Sequence, residues 1–218
     1  LTRILGIDEA GRGCVLGDLI IASFLVESPR DDALRAAGAA DSKALSEKRR
    51  DAAREALSGL GTADVRRVTP AEIDAGNLNA LEEAIIVELV RRWRPDVVLV
   101  DALGHPRTLD ATVARLRAAA GVDAAWTMVP KADARFPVVG AASIFAKTTR
   151  DAALRADTAA YGDLGSGYPS DPKTRAWIAA HAATGAPWPP FVRTRWATLA
   201  NVAQEALFTP AGPATSRG

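Results

Sequence analysis

The chain has 218 residues, 48% hydrophobic and 24% charged, the balance of one globular unit with a sizeable core. Its 27 basic and 26 acidic residues leave a net charge of +1, so any nucleic-acid surface must come from local segregation of charge rather than a global basic field. The single cysteine, Cys14, excludes a disulfide framework and a multi-cysteine zinc cluster. No apolar run reaches bilayer length and no targeting signal stands out, which makes the cytoplasm the expected location and a membrane partner unexpected.

Residues 3–8 and 19–26, rich in Ile, Val and Leu, predict two strands of a hairpin joined by a glycine-rich turn. A charged, alanine-rich helix is expected over 46–59, with Ser46 as N-cap. A third strand is read at 64–68 and a turn or short helix start at 70–73. Leu78, Leu81, Ile85 and Leu89 recur at helical spacing and predict a long buried helix over 77–93, which Arg94-Pro95 stops. The run 97–100 reads as a central strand buried on both faces, ending in Asp101. A helix at 107–119 and a strand at 124–129 follow. From about 138 the pattern turns helical: a small-residue helix over 141–155, a glycine loop at 161–169, a helix at 173–183 and a last one near 196–207. The expected class is α/β with a C-terminal helical extension, and residues 209–218 read as a frayed tail.

The chemistry collects where the strands end. Asp8 and Glu9 close the first apolar run, and Gly11-Arg12-Gly13 follows, a turn that lets backbone approach a ligand, with Arg12 available for an anion. Asp101 ends another strand and Asp133 follows a third. Ionised carboxylates at the ends of buried strands are costly without a positive partner, and a hard divalent cation held by oxygen ligands is a usual one. For Asp101 alone, a solvated strand-end acid is an equal reading; three strand-end acids with Glu9 together favour the metal. Adjacent strand residues face opposite ways, so Asp8 and Glu9 are expected to share a site only if the strand ends or bulges between them. Lys147 and Arg150 lie three apart on one helix, either a phosphate-binding face or an ordinary solvated one. Tyr168, between glycine and proline, is a candidate for stacking on a sugar or base, with buried packing as its alternative. Gly11-x-Gly13-x-x-x-Gly17 is too long for a dinucleotide fingerprint and leads into a strand, and no Walker loop is present. His105 and His181 stand alone, and Cys14 reads as a small packed residue.

Several separated segments, in order, resemble ribonuclease HII. They are Gly6-Ile7-Asp8-Glu9-Ala10-Gly11-Arg12-Gly13, Asp41-Ser42-Lys43, Val100-Asp101, Lys131-Ala132-Asp133 and Ala141-Ala142-Ser143-Ile144-Phe145-Ala146-Lys147. The stretch 161–173, with Gly165-Ser166-Gly167-Tyr168-Pro169, is similar to the archaeal branch of that family. The resemblance spans about residues 3–200 and implies a ribonuclease H-like three-layer fold with a five-stranded mixed sheet. It implies a catalytic core over 1–155, a substrate-binding helical region over 156–208, and Asp8, Glu9, Asp101 and Asp133 as both catalytic and metal-binding. Gly11, Arg12 and Gly13 would contact the ribonucleotide 2′-hydroxyl mainly through backbone, Tyr168 would pack on the next deoxyribose, and Lys43, Ser143 and Lys147 would hold the DNA. Asp151 matches a charged position outside the ligand set.

The implied enzyme is a metal-dependent endonuclease using Mg²⁺ or Mn²⁺, two ions during catalysis. It would act as a monomer on RNA–DNA hybrids and on DNA duplexes containing ribonucleotides, leaving 5′-phosphate and 3′-hydroxyl ends. A replication-clamp contact is not readable from the sequence. Family members commonly carry proline at the positions of Cys14 and Asp18, and serine at that of Gly140, which puts loop rigidity and one hydroxyl contact in question. The rival readings are an integrase-like DNA-cutting enzyme, a non-catalytic hybrid-binding module, which would be expected to lose an acid, and a small-molecule nucleotide binder.

Overall fold

The two apolar runs at the N-terminus form strands Ile4–Ala10 (β1) and Leu19–Val26 (β2), paired antiparallel from Ile4 against Val26 to Ala10 against Ile20. The structure is a computed structural model that describes residues 1–39, 45–104 and 106–208, with side chains described through residue 202. Strand Thr62–Val68 (β3) pairs antiparallel with β2, while Val97–Asp101 (β4) and Ala125–Val129 (β5) extend the sheet in parallel beyond β1. The result is a five-stranded mixed sheet ordered β3-β2-β1-β4-β5.

Helices cover both faces. Asp31–Ala36 (α1) and Glu47–Ser58 (α2) precede β3; Pro70–Ala75 (α3) and Leu78–Trp93 (α4) follow it. Leu109–Ala120 (α5) joins β4 to β5, and Ala132–Arg135 (α6) leads into the long helix Pro137–Tyr161 (α7). Pro172–Thr184 (α8) and Ala197–Phe208 (α9) complete the order. On one face Leu5, Ile7, Val98 and Val100 pack against Ile86 and Leu89 of α4 and Leu116 of α5. On the other, Ile20, Ala22 and Phe24 pack against Leu57 of α2 and Val138, Val139 and Phe145 of α7. These are the three layers of the expected fold class.

The small residues of α7 have a reason. A Cβ on Gly6 would lie 2.3 Å from the Val138 carbonyl oxygen, so only glycine lets β1 and the start of α7 approach this closely. Pro137 opens α7 at a position where proline costs no hydrogen bond, four residues before the expected start at 141. The helix then runs unbroken to Tyr161, so the expected division at 155 falls inside a continuous helix.

Other expectations change in detail. The strand buried along its whole length is β2; in β4 only Val98 and Val100 are fully buried, because helices close one face of it more completely than the other. In helix α4 Leu89 is fully buried, while Leu78, Leu81 and Ile85 pack partly buried against the same core. Ser46 occupies the N-cap position of α2 without a side-chain cap bond, whereas Thr69 and Glu72 form a full capping box on α3. Helix α1 has no counterpart in the sequence reading. Asp41, Ser42, Lys43, His105 and the tail 209–218 lie outside the described residues.

A third apolar cluster joins the C-terminal elements to the N-terminal turn: Val15 and Leu16 pack with Leu164, Ile178, Phe191 and Val192. Leu16 and Val192 form a β-bridge, and the Gly167 carbonyl accepts from the amides of Val15 (2.8 Å) and Leu16 (3.2 Å). The glycine loop and the segment after α8 are thereby held beside residues 11–17.

Candidate active site

The ladder between the parallel strands β1 and β4 ends at Ile7 paired with Val100. Asp8 and Asp101 are the next residue in each strand, so two carboxylates stand side by side where the strands part. Strand β1 does not stop or bulge there: its pairing with β2 continues through Asp8, Glu9 and Ala10. The expectation of a break between the two acids is therefore corrected. Their side chains do face opposite ways. Asp8 meets Ser143 and Lys147 of α7, while Glu9 feels Glu82 of α4 and Arg12. The opening beyond Ile7 and Val100 lets both line one cavity.

That cavity, of about 430 Å³, is lined by all four expected acids, by residues 11–13 and by Lys147 and Tyr168. Asp133 reaches it from the first turn of α6 rather than directly from a strand end, after Lys131 turns the chain in the left-handed region (φ 58°). Asp101 Oδ1 accepts from the Ala132 amide at 2.8 Å, which ties the end of β4 to α6. Asp8 Oδ1 accepts from the Glu9 amide at 2.8 Å.

Burial, and then the charge of Asp101, push the Asp8 carboxyl up to about 7, against the pull of the Ser143 hydroxyl, the Glu9 amide and Lys147. Burial, followed by the charges of Asp8, Glu82 and Asp101, holds Glu9 well above the ordinary carboxylate range, with Arg12 opposing. The negative charge here is under-compensated, and the donors are hard oxygens, which fits a divalent cation. Among the described residues no three acid, histidine or cysteine side chains form a ready-made ion cage. The four acids share a cavity, not a preassembled coordination shell.

The substrate candidates separate into groups that face the cavity and groups that hold others in place. Arg12 is not available for an anion: its guanidinium pairs with Glu82 and donates to Asn79 Oδ1 at 2.7 Å. Ser143 is fully buried beside Asp8, to whose carboxylate its side chain is hydrogen-bonded, and it does not line the cavity. Arg150 points into the cavity wall but is committed there. It donates to the Ser166 carbonyl, lies 3.2 Å from Cys14 Sγ, pairs with Asp151 at 3.2 Å and stacks 5.2 Å above the Tyr168 ring. Tyr168 is 39% exposed, its hydroxyl held by Cys14 and the Gly11 backbone.

Cys14 is packed as expected. Asp18 is paired with Arg67 on β3 at 2.8 Å, which braces the turn. Gly140 sits under Ala39, whose carbonyl oxygen would lie 1.6 Å from a Cβ there. His181 has a structural place, stacked on Trp177 (5.1 Å) and in tilted contact with Trp188 (4.9 Å).

Three residues at the site have no counterpart in the sequence reading. Arg50 of α2 lines the cavity and pairs with Asp151 at 2.8 Å. Glu82 is buried beneath Arg12; its signal was a glutamate one turn from Leu78 and Ile86 on an apolar stripe. Arg193, fully buried, donates to the carbonyls of Gly17 (3.0 Å), Arg12 (2.9 Å) and Gly11 (2.7 Å). Nothing in its local sequence marks it.

A mixed sheet of this order, with acids at the parting of its two central parallel strands and a long helix across them, is a ribonuclease H-like fold. Solved structures agree. The ribonuclease H2 from Pyrococcus horikoshii OT3 superposes with a TM-score of 0.84 at 33% identity, covering 95% of this chain and 100% of that one. The Archaeoglobus fulgidus RNase HII, solved in a complex with PCNA, gives 0.82 at 34% identity, covering 91% and 96%. Within that class, the ribonuclease HII family model matches residues 5–199. The ribonuclease HII of Aeropyrum pernix is 41% identical over 203 residues, 90% of this chain and 88% of that protein. The chain belongs to the ribonuclease HII family and is an endonuclease of the ribonuclease H type.

Proposed function

We propose that this enzyme hydrolyses the RNA strand of RNA–DNA hybrids and also cuts at ribonucleotides embedded in DNA, using two Mg²⁺ or Mn²⁺ ions and leaving 5′-phosphate and 3′-hydroxyl ends. The observation that carries the reading is the convergence of Asp8, Glu9, Asp101 and Asp133 on one cavity with the turn 11–13 and Tyr168.

The four carboxylates would hold the ions. When bound, divalent cations neutralise charge on the scissile phosphate and activate water for in-line attack. The chain's own contribution is placement. Ser143 and Lys147 steady Asp8 in its ionised form; the Ala132 amide fixes Asp101. Arg193 draws the carbonyls of Gly11 and Arg12 to itself, and trans peptide geometry then turns the amides of Arg12 and Gly13 the opposite way. Those amides are the groups we assign to the 2′-hydroxyl, which distinguishes RNA from DNA. Tyr168 offers its exposed ring to the following deoxyribose, and Lys147, with Lys43, is assigned to phosphates.

The reading retains a catalytic core over 1–155 and a substrate-binding region over 156–208, acting as a monomer in the cytoplasm. No helix among the described residues is long and apolar enough to cross a membrane. The Archaeoglobus relative in complex with PCNA supports a clamp contact for this chain as well.

The test is cleavage of matched RNA–DNA hybrid and all-DNA duplexes in Mg²⁺, in Mn²⁺ and with chelator. Cleavage of the RNA strand alone, lost with chelator, is expected. Equal cutting of all-DNA duplex would favour an integrase-like enzyme, and binding without cutting a hybrid-binding module.

A further inference from the structure

The turn 11–13 is held from two sides. Arg193 takes its carbonyls; α4 takes its side chain, through Asn79 and Glu82 on Arg12. Glu82 is an odd residue for its place. It is 1% exposed, it packs one turn from Ile86 on the side of α4 that faces the sheet, and its Oε1 is buried with no hydrogen-bond partner. A carboxylate so placed costs stability unless it is paired, and its ion pair is with Arg12. Glu82 does not line the cavity of the four acids, so any effect on substrate must pass through another residue. Arg12 does line it, at the centre of the turn.

The backbone ties to Arg193 fix which way the amides of Arg12 and Gly13 point. A second anchor holds the side chain of the turn, because the Arg12 fork is gripped by two acceptors on α4. We infer that Glu82 is a positioning residue for sugar selection: with Asn79 it latches Arg12 to α4, and so sets how strongly the turn prefers a ribose to a deoxyribose. The inference rests on the proposed reading of the turn as the element that meets the 2′-hydroxyl.

The test is a binding ratio, measured without divalent ions so that cleavage plays no part. Fluorescence anisotropy would give the affinity of the full chain for an RNA–DNA hybrid and for the all-DNA duplex of the same sequence. Small misplacements of a binding group carry large penalties. Glu82→Gln, which can still accept one bond from Arg12, should therefore reduce the hybrid-to-DNA ratio by about threefold, and Glu82→Leu by roughly tenfold. Arg12→Ala should match the leucine variant, and the double variant Arg12→Ala/Glu82→Leu should fall no further. Losses that multiply in the double variant would overturn the inference, as would an unchanged ratio in Glu82→Leu. A melting curve accompanies each variant. If the Glu82 changes prevent folding, Asn79→Ala at an exposed position keeps the question answerable: a ratio lowered about twofold supports the latch and an unchanged ratio refutes it. A wild type with no preference for the hybrid would instead count against the proposed function.

Discussion

Replacing Asp8 by Asn should make the ion-free protein more stable in alkaline solution while removing its turnover. Burial and the neighbouring Asp101 raise the Asp8 carboxyl from the ordinary 3.8 to about 7. An acid whose folded value is raised binds its proton more tightly in the native state. Its contribution therefore lowers stability as pH climbs from about 4 to about 7, and the penalty is complete above that. At about 1.4 kcal/mol per pH unit, the difference amounts to at most about 4 kcal/mol, and relaxation of the site should leave 2–4 kcal/mol. Asparagine keeps the acceptor for the Glu9 amide and carries no charge. Denaturant unfolding in chelator at about pH 5 and about pH 8.5 reads the effect. The variant should exceed the wild type by only about 1 kcal/mol at the lower pH, where just the first part of the penalty has developed, and by about 2–4 kcal/mol at the higher. A variant equally or less stable at about pH 8.5 would refute the view that uncompensated negative charge is built into this site.

The remaining expectations concern substrate and packing. Adding Mg²⁺ or Mn²⁺ at about pH 8 should raise the melting temperature of the wild type and do so much less for Asp8→Asn; equal shifts would place the ions elsewhere. Tyr168→Ala should weaken cleavage at a single ribonucleotide by roughly ten- to a hundredfold, the worth of one stacking contact, and uniform hybrid less; equal losses would reduce Tyr168 to packing. Lys147→Ala should lower the log–log salt slope of hybrid binding by about one, whereas Arg150→Ala, being tied to Ser166 and Tyr168, should leave that slope alone and reproduce the Tyr168 defect. Gly140→Ser should destabilise the fold by about 1–3 kcal/mol or more in thermal unfolding, since its Cβ would collide with the Ala39 carbonyl.

Much of the sheet was legible because β1, β2, β4 and β5 are apolar runs bounded by turns, a signal local to each segment. Helix α1 was not, because of its six residues only Leu34 is buried and so no stripe exists to read. The early start of α7 was hidden for a related reason: Phe136-Pro137-Val138-Val139 has the composition of extended chain, and only packing against Gly6 makes it the first turn of a helix. The acids were visible as carboxylates beside apolar runs. What was not visible is how Asp8 and Glu9 reach one cavity without a break in β1, since that depends on where the pairing with β4 stops.

The supporting residues escaped for a different reason. Glu82 meets Arg12 across 70 residues, and Arg193 meets Gly11 across 182, so neither has a local pattern. Arg12 and Arg150, both legible as free cations, are instead consumed by partners that only the fold brings near. A basic residue next to a candidate site is evidence of a ligand only once its internal acceptors are known.

The most direct measurement of the central claim is cleavage of a DNA duplex carrying one ribonucleotide, beside the same duplex with deoxyribose at that position, in Mg²⁺ and in Mn²⁺. The account predicts a single cut at the ribonucleotide with 5′-phosphate and 3′-hydroxyl ends, no cut in the deoxyribose control, and nearly complete loss in Asp8→Asn. A wild type that leaves the lone ribonucleotide intact, or an Asp8→Asn enzyme that still turns over, would contradict it.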